Sequence, residues 1–386
     1  MDQRTIQILF ALLRSAICGT KLTEEDQSRY SPDMLQDLLD ISFKHDIAHL
    51  LVLGLKQNGL IAKEQNSIEK HIFKAVYRYE NLNYEFNRLC TTLEKAQIPF
   101  LPLKGAVIRL LYPEPWMRTS CDIDVLVHEK DLQRAVEALR TDLSYKAEKY
   151  RDYHDISLFS PKGIHLELHF SIKENMESID VLLSKAWDYS DLVEGTKYQY
   201  RQTNEYFIFH HIAHMAHHFV SGGCGIRPLV DLYFIKQKLS FDARKVQEFL
   251  SACALQKFYD SITKLMKVWL EEKPHCDVTW KMQDYILQGG VYGSLVGNIA
   301  AKQGIKGGKF RYAWSRVFLS TKLLENYYPC IKRHTWLAPF CQIHRWTRIF
   351  RDSTRFNHSI HELKSNYSIS EKSVHKVKQL LDELGL

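Results

Sequence analysis

The chain lacks any Cys-x-x-Cys pair, and its eight cysteines, scattered from Cys18 to Cys341, show no Cys/His spacing of a zinc site. That excludes a disulfide scaffold and a zinc ribbon, and it fits a reducing compartment. Long hydrophobic runs are missing too, so no transmembrane segment is expected. The apolar stretch near the N-terminus is cut by Arg14 and has no small-residue cleavage site behind it. Its residues Ile6, Leu9, Phe10, Leu13 and Ile17 follow helical spacing instead of a leader pattern. Together these absences predict a cytoplasmic protein. No internal repeat is present. The net charge of +7 over 386 residues suits phosphate-bearing ligands but is too diffuse to diagnose a nucleic-acid binder.

What the chain does have is core material. At 45% hydrophobic and 12% aromatic residues, disorder is not the default for any large part. Periodicity divides it into four stretches. Residues 1–97 read as an N-terminal helical region, with Ser31-Pro32-Asp33 as a cap and the longest helix over 67–96. Residues 98–201 change to alternation, with strands predicted at 98–103, 121–127, 143–148, 154–160, 164–170 and 197–200. Helices fall at 106–111 and 129–140, and Ser160-Pro161-Lys162-Gly163 turns the fourth strand back into the fifth. Residues 202–352 return to helix, and 353–386 read as a polar linker and a short terminal helix. The expected class is α+β, a small mixed β-sheet core flanked by N-terminal and C-terminal helical domains.

Chemistry concentrates in the alternating stretch. In Cys121-Asp122-Ile123-Asp124-Val125 the two aspartates share one strand face, an arrangement that is costly unless a cation lies between them. Hard oxygen ligands favour Mg²⁺, or Mn²⁺. The alternative is a solvated edge strand with two surface acids. In Ile164-His165-Leu166-Glu167-Leu168-His169-Phe170 the polar face carries His165, Glu167 and His169. Either that face is exposed, or Glu167 is a third carboxylate brought beside Asp122 and Asp124 when the strands pair. Like-charge repulsion then predicts that Asp124→Asn leaves the metal-free melting temperature no lower.

The remaining signals are weaker. Tyr206 to Val220 holds His210, His211, His214, His217 and His218, with helical pairs one turn apart but no H-E-x-x-H and no acid within the run. They are read as core and cleft histidines, His214 among the latter. Ser221-Gly222-Gly223-Cys224-Gly225 reads as a flexible loop. Arg227 opens the next helix, where it contacts an anion or forms an i,i+4 pair with Asp231. Gly304 to Phe310 lacks the phosphate-loop pattern and reads as a hinge. The basic aromatic run 334–351 suits helix packing with snorkelling arginines, or else a membrane surface or nucleic acid.

Leu103-Lys104-Gly105, Arg118 and Asp122-Ile123-Asp124-Val125-Leu126-Val127 resemble the bacterial uncharacterised nucleotidyltransferase family of the DNA polymerase β-like superfamily. The resemblance extends through Glu167-Leu168-His169, His214, Gly225 to Leu232, Tyr327-Tyr328-Pro329 and Leu337-Ala338-Pro339. It implies transfer of a nucleoside monophosphate from an NTP to an acceptor, with release of pyrophosphate. Asp122, Asp124 and Glu167 would be the catalytic and metal-holding acids. Lys104, Gly105, Arg118, Ser120 and Arg227 would meet the nucleotide, and His165, His169, His214 and Asp231 would line the cleft. The acceptor is a small molecule or a protein or peptide; nucleic acid is not favoured. One departure stands out. The superfamily carries Gly-Ser where this chain has Lys104-Gly105, which opens the alternative of a nucleotide-binding or protein-interaction module with weakened turnover.

Overall fold

The computed structural model describes residues 2–61, 67–148, 154–291 and 293–386. Helices open the chain: α1 (Gln3–Cys18), α2 (Glu24–Arg29), α3 (Leu35–Lys44), α4 (Ala48–Gln57) and α5 (Lys70–Lys95). Then follow β1 (Phe100–Pro102), α6 (Gly105–Ile108), β2 (Asp122–Val127), α7 (Leu132–Leu143), β3 (Lys146–Ala147), β4 (Asp155–Phe159) and β5 (His165–His169). After α8 (Glu177–Leu183), β6 (Ser190–Leu192) and β7 (Tyr200–Gln202), the chain stays helical. It runs through α9 (Asn204–Val220), α10 (Arg227–Lys238), α11 (Ala243–Ala252), α12 (Gln256–Glu271) and α13 (Asp277–Gln288). The last elements are α14 (Leu295–Lys306), α15 (Lys309–Val317), α16 (Thr321–Tyr327), α17 (Ala338–Arg351), α18 (Ser353–Ser368) and α19 (Glu371–Leu384). The fold is α+β.

Five strands form one mixed sheet in the order β1-β2-β5-β4-β3. β2 and β5 are parallel; the other neighbours are antiparallel. β2 therefore lies inside the sheet, and the solvated-edge reading of its aspartates fails. The strand expected at 197–200 touches the sheet only where the Phe100 amide donates to the Tyr198 carbonyl at 2.9 Å; from Tyr200 on, β7 pairs with β6 in a two-stranded ribbon, whose first strand the sequence did not reveal.

The two sheet faces have different partners, set by alternation. Ile123, Val125, Val127, Leu166 and Leu168 point into one core with Leu82, Leu89 and Leu93 of α5 and Leu132 and Leu139 of α7. Leu101, Leu103 and Leu126 point the other way, into a larger core that joins α1, α3 and α4 to α9–α13 and to Leu380, Leu381 and Leu384 of α19. The polar residues of β2 and β5 share this second face, so they meet α9 across a cleft. Helix α9 starts where it does because the Thr203 side chain accepts from the Tyr206 amide, a standard N-cap.

Residues 353–386 need correcting. They form α18 and α19, with no loose linker among them. Their polarity concealed a buried network: Glu362 accepts from Tyr312 and Arg316, and Asn366 accepts from Gln303 at 2.6 Å. The glycine loop after α9 is likewise built for contact. Gly222 has φ +121°, and a Cβ there would fall 2.7 Å from the Ser294 carbonyl oxygen. Gly307 and Gly308, both at positive φ, end α14 and open α15, so the segment expected to be a hinge breaks the helix only at these two residues.

Candidate active site

Parallel pairing of β2 and β5 places Asp124 opposite Glu167 and Asp122 opposite His165. All four side chains therefore leave the same sheet face, with His169 two residues further on. His169 Nε2 lies 3.1 Å from Asp124 Oδ1 and 3.4 Å from Glu167 Oε2. His165 Nδ1 lies 4.0 Å from Glu167 Oε1, while its Nε2 meets Ser157 Oγ at 3.1 Å. Two overlapping donor groups result, Asp122/His165/Glu167 and Asp124/Glu167/His169, each with its ligand atoms within 4.8 Å of one another.

Charge on this face is unevenly shared. Burial raises the Asp122 carboxyl above the usual aspartate range, and Asp124 and Glu167 beside it raise it further. Burial works against ionising Asp124 too, but Lys104 and then His169 overcome it and hold that carboxyl below the usual range. Lys104 Nζ sits 3.9 Å from Asp124 Oδ1 and forms an ion pair with it. Burial alone would lower the Lys104 ammonium, yet Asp124 and the other acids raise it. Burial would also lower His169, but hydrogen bonds to Asp124 and Glu167 push it up to about 9. The expectation for Asp124→Asn is thereby reversed. Its carboxylate is paired, and the crowded acid, whose carboxyl is raised by burial and by its acidic neighbours, is Asp122.

The donor chemistry fits a divalent cation. Three carboxylates and two imidazoles converge, and a cation would supply the charge now delivered by Lys104 and His169.

Lys104-Gly105 has a physical explanation. Lys104 adopts φ +40°, ψ −112°, a conformation that suits glycine. At Gly105 a Cβ would fall 2.5 Å from Ser120 Oγ and 2.6 Å from Arg118 Nη1. The Ser120 hydroxyl thus fills the space of a residue-105 side chain. It accepts from Arg109 Nη2 and Arg118 Nη1, each at 2.9 Å. The amides of Ala106 and Val107 are bonded to the Leu103 and Lys104 carbonyls, at 3.2 and 3.0 Å.

Arg118, Arg227 and Asp231 are tied up within the chain. Arg118 donates from Nε and Nη2 to the Asp231 carboxylate at 3.3 and 3.1 Å, and Tyr112 donates to the same carboxylate at 2.7 Å. Asp231 is buried and does not line the cleft. The Arg227–Asp231 pair does not form; Arg227 Nη1 instead donates to Asp46 Oδ2 at 3.0 Å and to the Thr119 carbonyl at 3.1 Å.

Opposite the carboxylates stands a wall of histidines from α9. Leu103, Lys104, Glu167 and His169 share a cleft of about 110 Å³ with Glu174, His214 and His218. Glu174 Oε1 accepts from His214 Nδ1 at 2.7 Å, and the Nε2 atoms of His214 and His218 are 3.0 Å apart. Burial lowers His214 well below the usual value, helped by Lys104, and it lowers His218 to about 4 and His210 to about 3. Sequence reasoning missed Glu174, Asp46 and Arg109. Glu174 carries no motif, and it joins the α9 histidines from 40 positions away.

Residues 31–271 match the family model described as uncharacterised nucleotidyltransferase. Two solved structures are similar. One is the solution structure of the antibiotic-resistance factor ANT(2'')-Ia, at 14% identity and TM-score 0.32, covering 46% of this chain and 93% of that one. The other is the Thermotoga maritima CCA-adding enzyme complexed with tRNA, at 13% identity and TM-score 0.22, covering 80% of this chain and 83% of that one. No curated protein matches the chain.

Proposed function

Since the chain belongs to the uncharacterised nucleotidyltransferase family, we propose that it transfers a nucleoside monophosphate from an NTP to an acceptor in the cleft between β2, β5 and α9. The observation that carries this reading is the register that sets Asp124 against Glu167 on a buried polar face, with Asp122 beside them. Asp122, Asp124 and Glu167 would hold Mg²⁺ or Mn²⁺, with His165 and His169 as further donors. When bound, the metal supplies charge stabilisation for the phosphoryl group and its leaving pyrophosphate.

The chain's own residues do the rest. Lys104 releases Asp124 and pairs with the β and γ phosphates. Ser120, held by Arg109 and Arg118, presents the hydroxyl that the superfamily places one residue along from Lys104. Arg118 and Arg227 are positioning residues, the first for Ser120 and the second for the loop at Thr119. Glu167 takes the proton from the acceptor hydroxyl as its oxygen bonds the α-phosphorus. The bond from the α-phosphorus to the bridging oxygen breaks, and that oxygen leaves with pyrophosphate.

Isotope position tests this directly. Protein incubated with Mg²⁺ or Mn²⁺, cell extract and NTP labelled at the α or γ phosphate should move only the α label onto an acceptor. Asp124→Asn should move neither. Transfer of the γ label would mean phosphoryl transfer and would overturn the reading.

A further inference from the structure

Charge and exposed apolar surface are both concentrated beyond the family match, in residues 295–352. That stretch holds 11 lysines and arginines against two acids, a net +9, while the whole chain carries +7. The other residues therefore sum to −2, and the mild overall charge hides a strongly basic module. The same stretch exposes Phe310, Trp314, Phe318, Trp336, Phe340 and Phe350, with Phe310 73% and Phe350 69% accessible.

Helix α17 shows how this comes about. Beside the buried Cys341, its inward side makes polar contacts: Gln342 Nε2, Arg345 Nη2 and Trp346 Nε1 all donate to the Val317 carbonyl at the end of α15, at 2.7, 2.6 and 2.9 Å. Those bonds cap an orphan carbonyl and fix the rotation of α17. Phe340, Ile343 and Phe350, one to three turns apart, are left on the outer side. The patch runs on into α15, where Phe310 stacks on Trp314, Trp314 on Phe318 at 4.4 Å, and Phe318 meets Trp346 at 5.2 Å. Trp346 adjoins Ile343 and Phe350 by helical spacing, so the apolar surface is continuous. Exposed Arg311, Lys332, Arg333 and Arg351 belong to the same elements and turns.

We propose that this face docks on an anionic lipid bilayer surface, with the aromatic ridge of α15 and the outer face of α17 seated among the headgroups. Charge complementarity carries the choice of partner. Basic side chains around protruding apolar ones suit a negatively charged interface, to which each lysine or arginine near the surface adds about 1 kcal/mol. Nucleic acid would use the aromatic rings but would gain nothing from an outward Ile343. No helix among the described residues is long and apolar enough to span a membrane, so the contact is peripheral.

The test uses the full chain and vesicles of phosphatidylcholine, alone or with one quarter phosphatidylglycerol, in a sedimentation assay with tryptophan emission as a second readout. Binding to the anionic vesicles with a blue shift is expected, with little binding to phosphatidylcholine alone. Ile343→Ser/Phe350→Ser should weaken it about tenfold at unchanged circular dichroism, since two buried apolar side chains are lost. Trp314→Ser, on the other helix, provides the same test should the double variant fail to fold. Absence of binding to anionic vesicles, or equal binding to both compositions, overturns the proposal. So does a sedimentation-equilibrium dimer, or binding to a single-stranded RNA, that these variants abolish while vesicle binding persists. None of these readouts involves nucleotide, so failure here leaves the transfer reaction standing.

Discussion

The two walls of the cleft use the same residue type to opposite ends. On the sheet side, His169 is pushed up to about 9 because two carboxylates accept from it. On the helix side, His210 and His218 are pushed down to about 3 and about 4, because burial dominates and Lys104 stands nearby. One wall is a cationic histidine among acids; the other is a neutral histidine cluster braced by Glu174. A histidine's charge at neutral pH is therefore a property of its partners, and the cleft has a charged, carboxylate-lined side and a neutral side.

The largest effect that would break this contrast is on turnover. Asp124→Asn should lower the rate of α-label transfer by about three orders of magnitude, the scale of several kcal/mol of lost charge stabilisation. The same substitution leaves Lys104 and His169 without their shared partner, and it should destabilise the metal-free protein by about 2–4 kcal/mol. Asp122→Asn, by contrast, relieves crowding and should melt no lower than wild type. If calorimetry shows the two variants melting in the reverse order, the assignment of the paired and crowded acids is wrong.

Nucleotide affinity comes next. Lys104→Ala should weaken NTP binding by about 1.5–3 kcal/mol, the range for charge-assisted hydrogen bonds, and affect the monophosphate much less. Lys104→Gly should lose the same affinity while relaxing the positive-φ strain at that position. Titration calorimetry of both variants with NTP and NMP separates charge from backbone. Equal losses for the two ligands would move Lys104 away from the β and γ phosphates.

The pH dependence of stability sharpens the contrast further. His169 has its pKa raised on folding, so its contribution is complete below about 6.5 and is lost as pH rises through about 9. His210 and His218 have theirs lowered, so the unfolded chain takes up protons first as pH falls below about 6.5, and stability drops on that side. Metal-free protein should therefore be most stable near pH 6–7, with an alkaline limb on the order of 3 kcal/mol and a larger acid limb. His169→Gln should flatten the alkaline limb, and His218→Gln should make the acid limb shallower, the remainder belonging to His45, His49 and His210. Melting curves in chelator across pH 4–10 are the check, and limbs unmoved by either variant would refute it. The smallest effect is expected from His214→Gln. It should change Mn²⁺ affinity by less than about threefold, because His214 faces Glu174 and His218 rather than the carboxylates. A larger loss, read by Mn²⁺ electron paramagnetic resonance, would make α9 part of the ion site.

Much of the sheet side was legible because strand alternation is local. Asp122 and Asp124 must share a face, as must His165, Glu167 and His169, whatever the rest of the chain does. The Ser160 to Gly163 turn was equally local, and it paired β4 with β5. Three features had to await the fold. Which acid is paired depends on Lys104 and His169 arriving beside Asp124 and not Asp122. The Arg118–Asp231 pair spans 113 positions, where spacing had offered Arg227 as the partner instead. Glu174 has no pattern at all until α9 packs over β5.

The chain as a whole shows the same division. The amino-acid order determined which side chains share a strand or helix face, where turns fall and how much charge the chain carries, because these follow from backbone geometry and composition within a few residues. Tertiary structure alone decided that β2 is an inner strand and that Ser120 stands where Gly105 leaves room. It also decided that Asp231 is buried and that α17 turns its apolar side outward. Each of these depends on side chains brought together from distant positions, where burial and a single ion pair or hydrogen bond outweigh local preference.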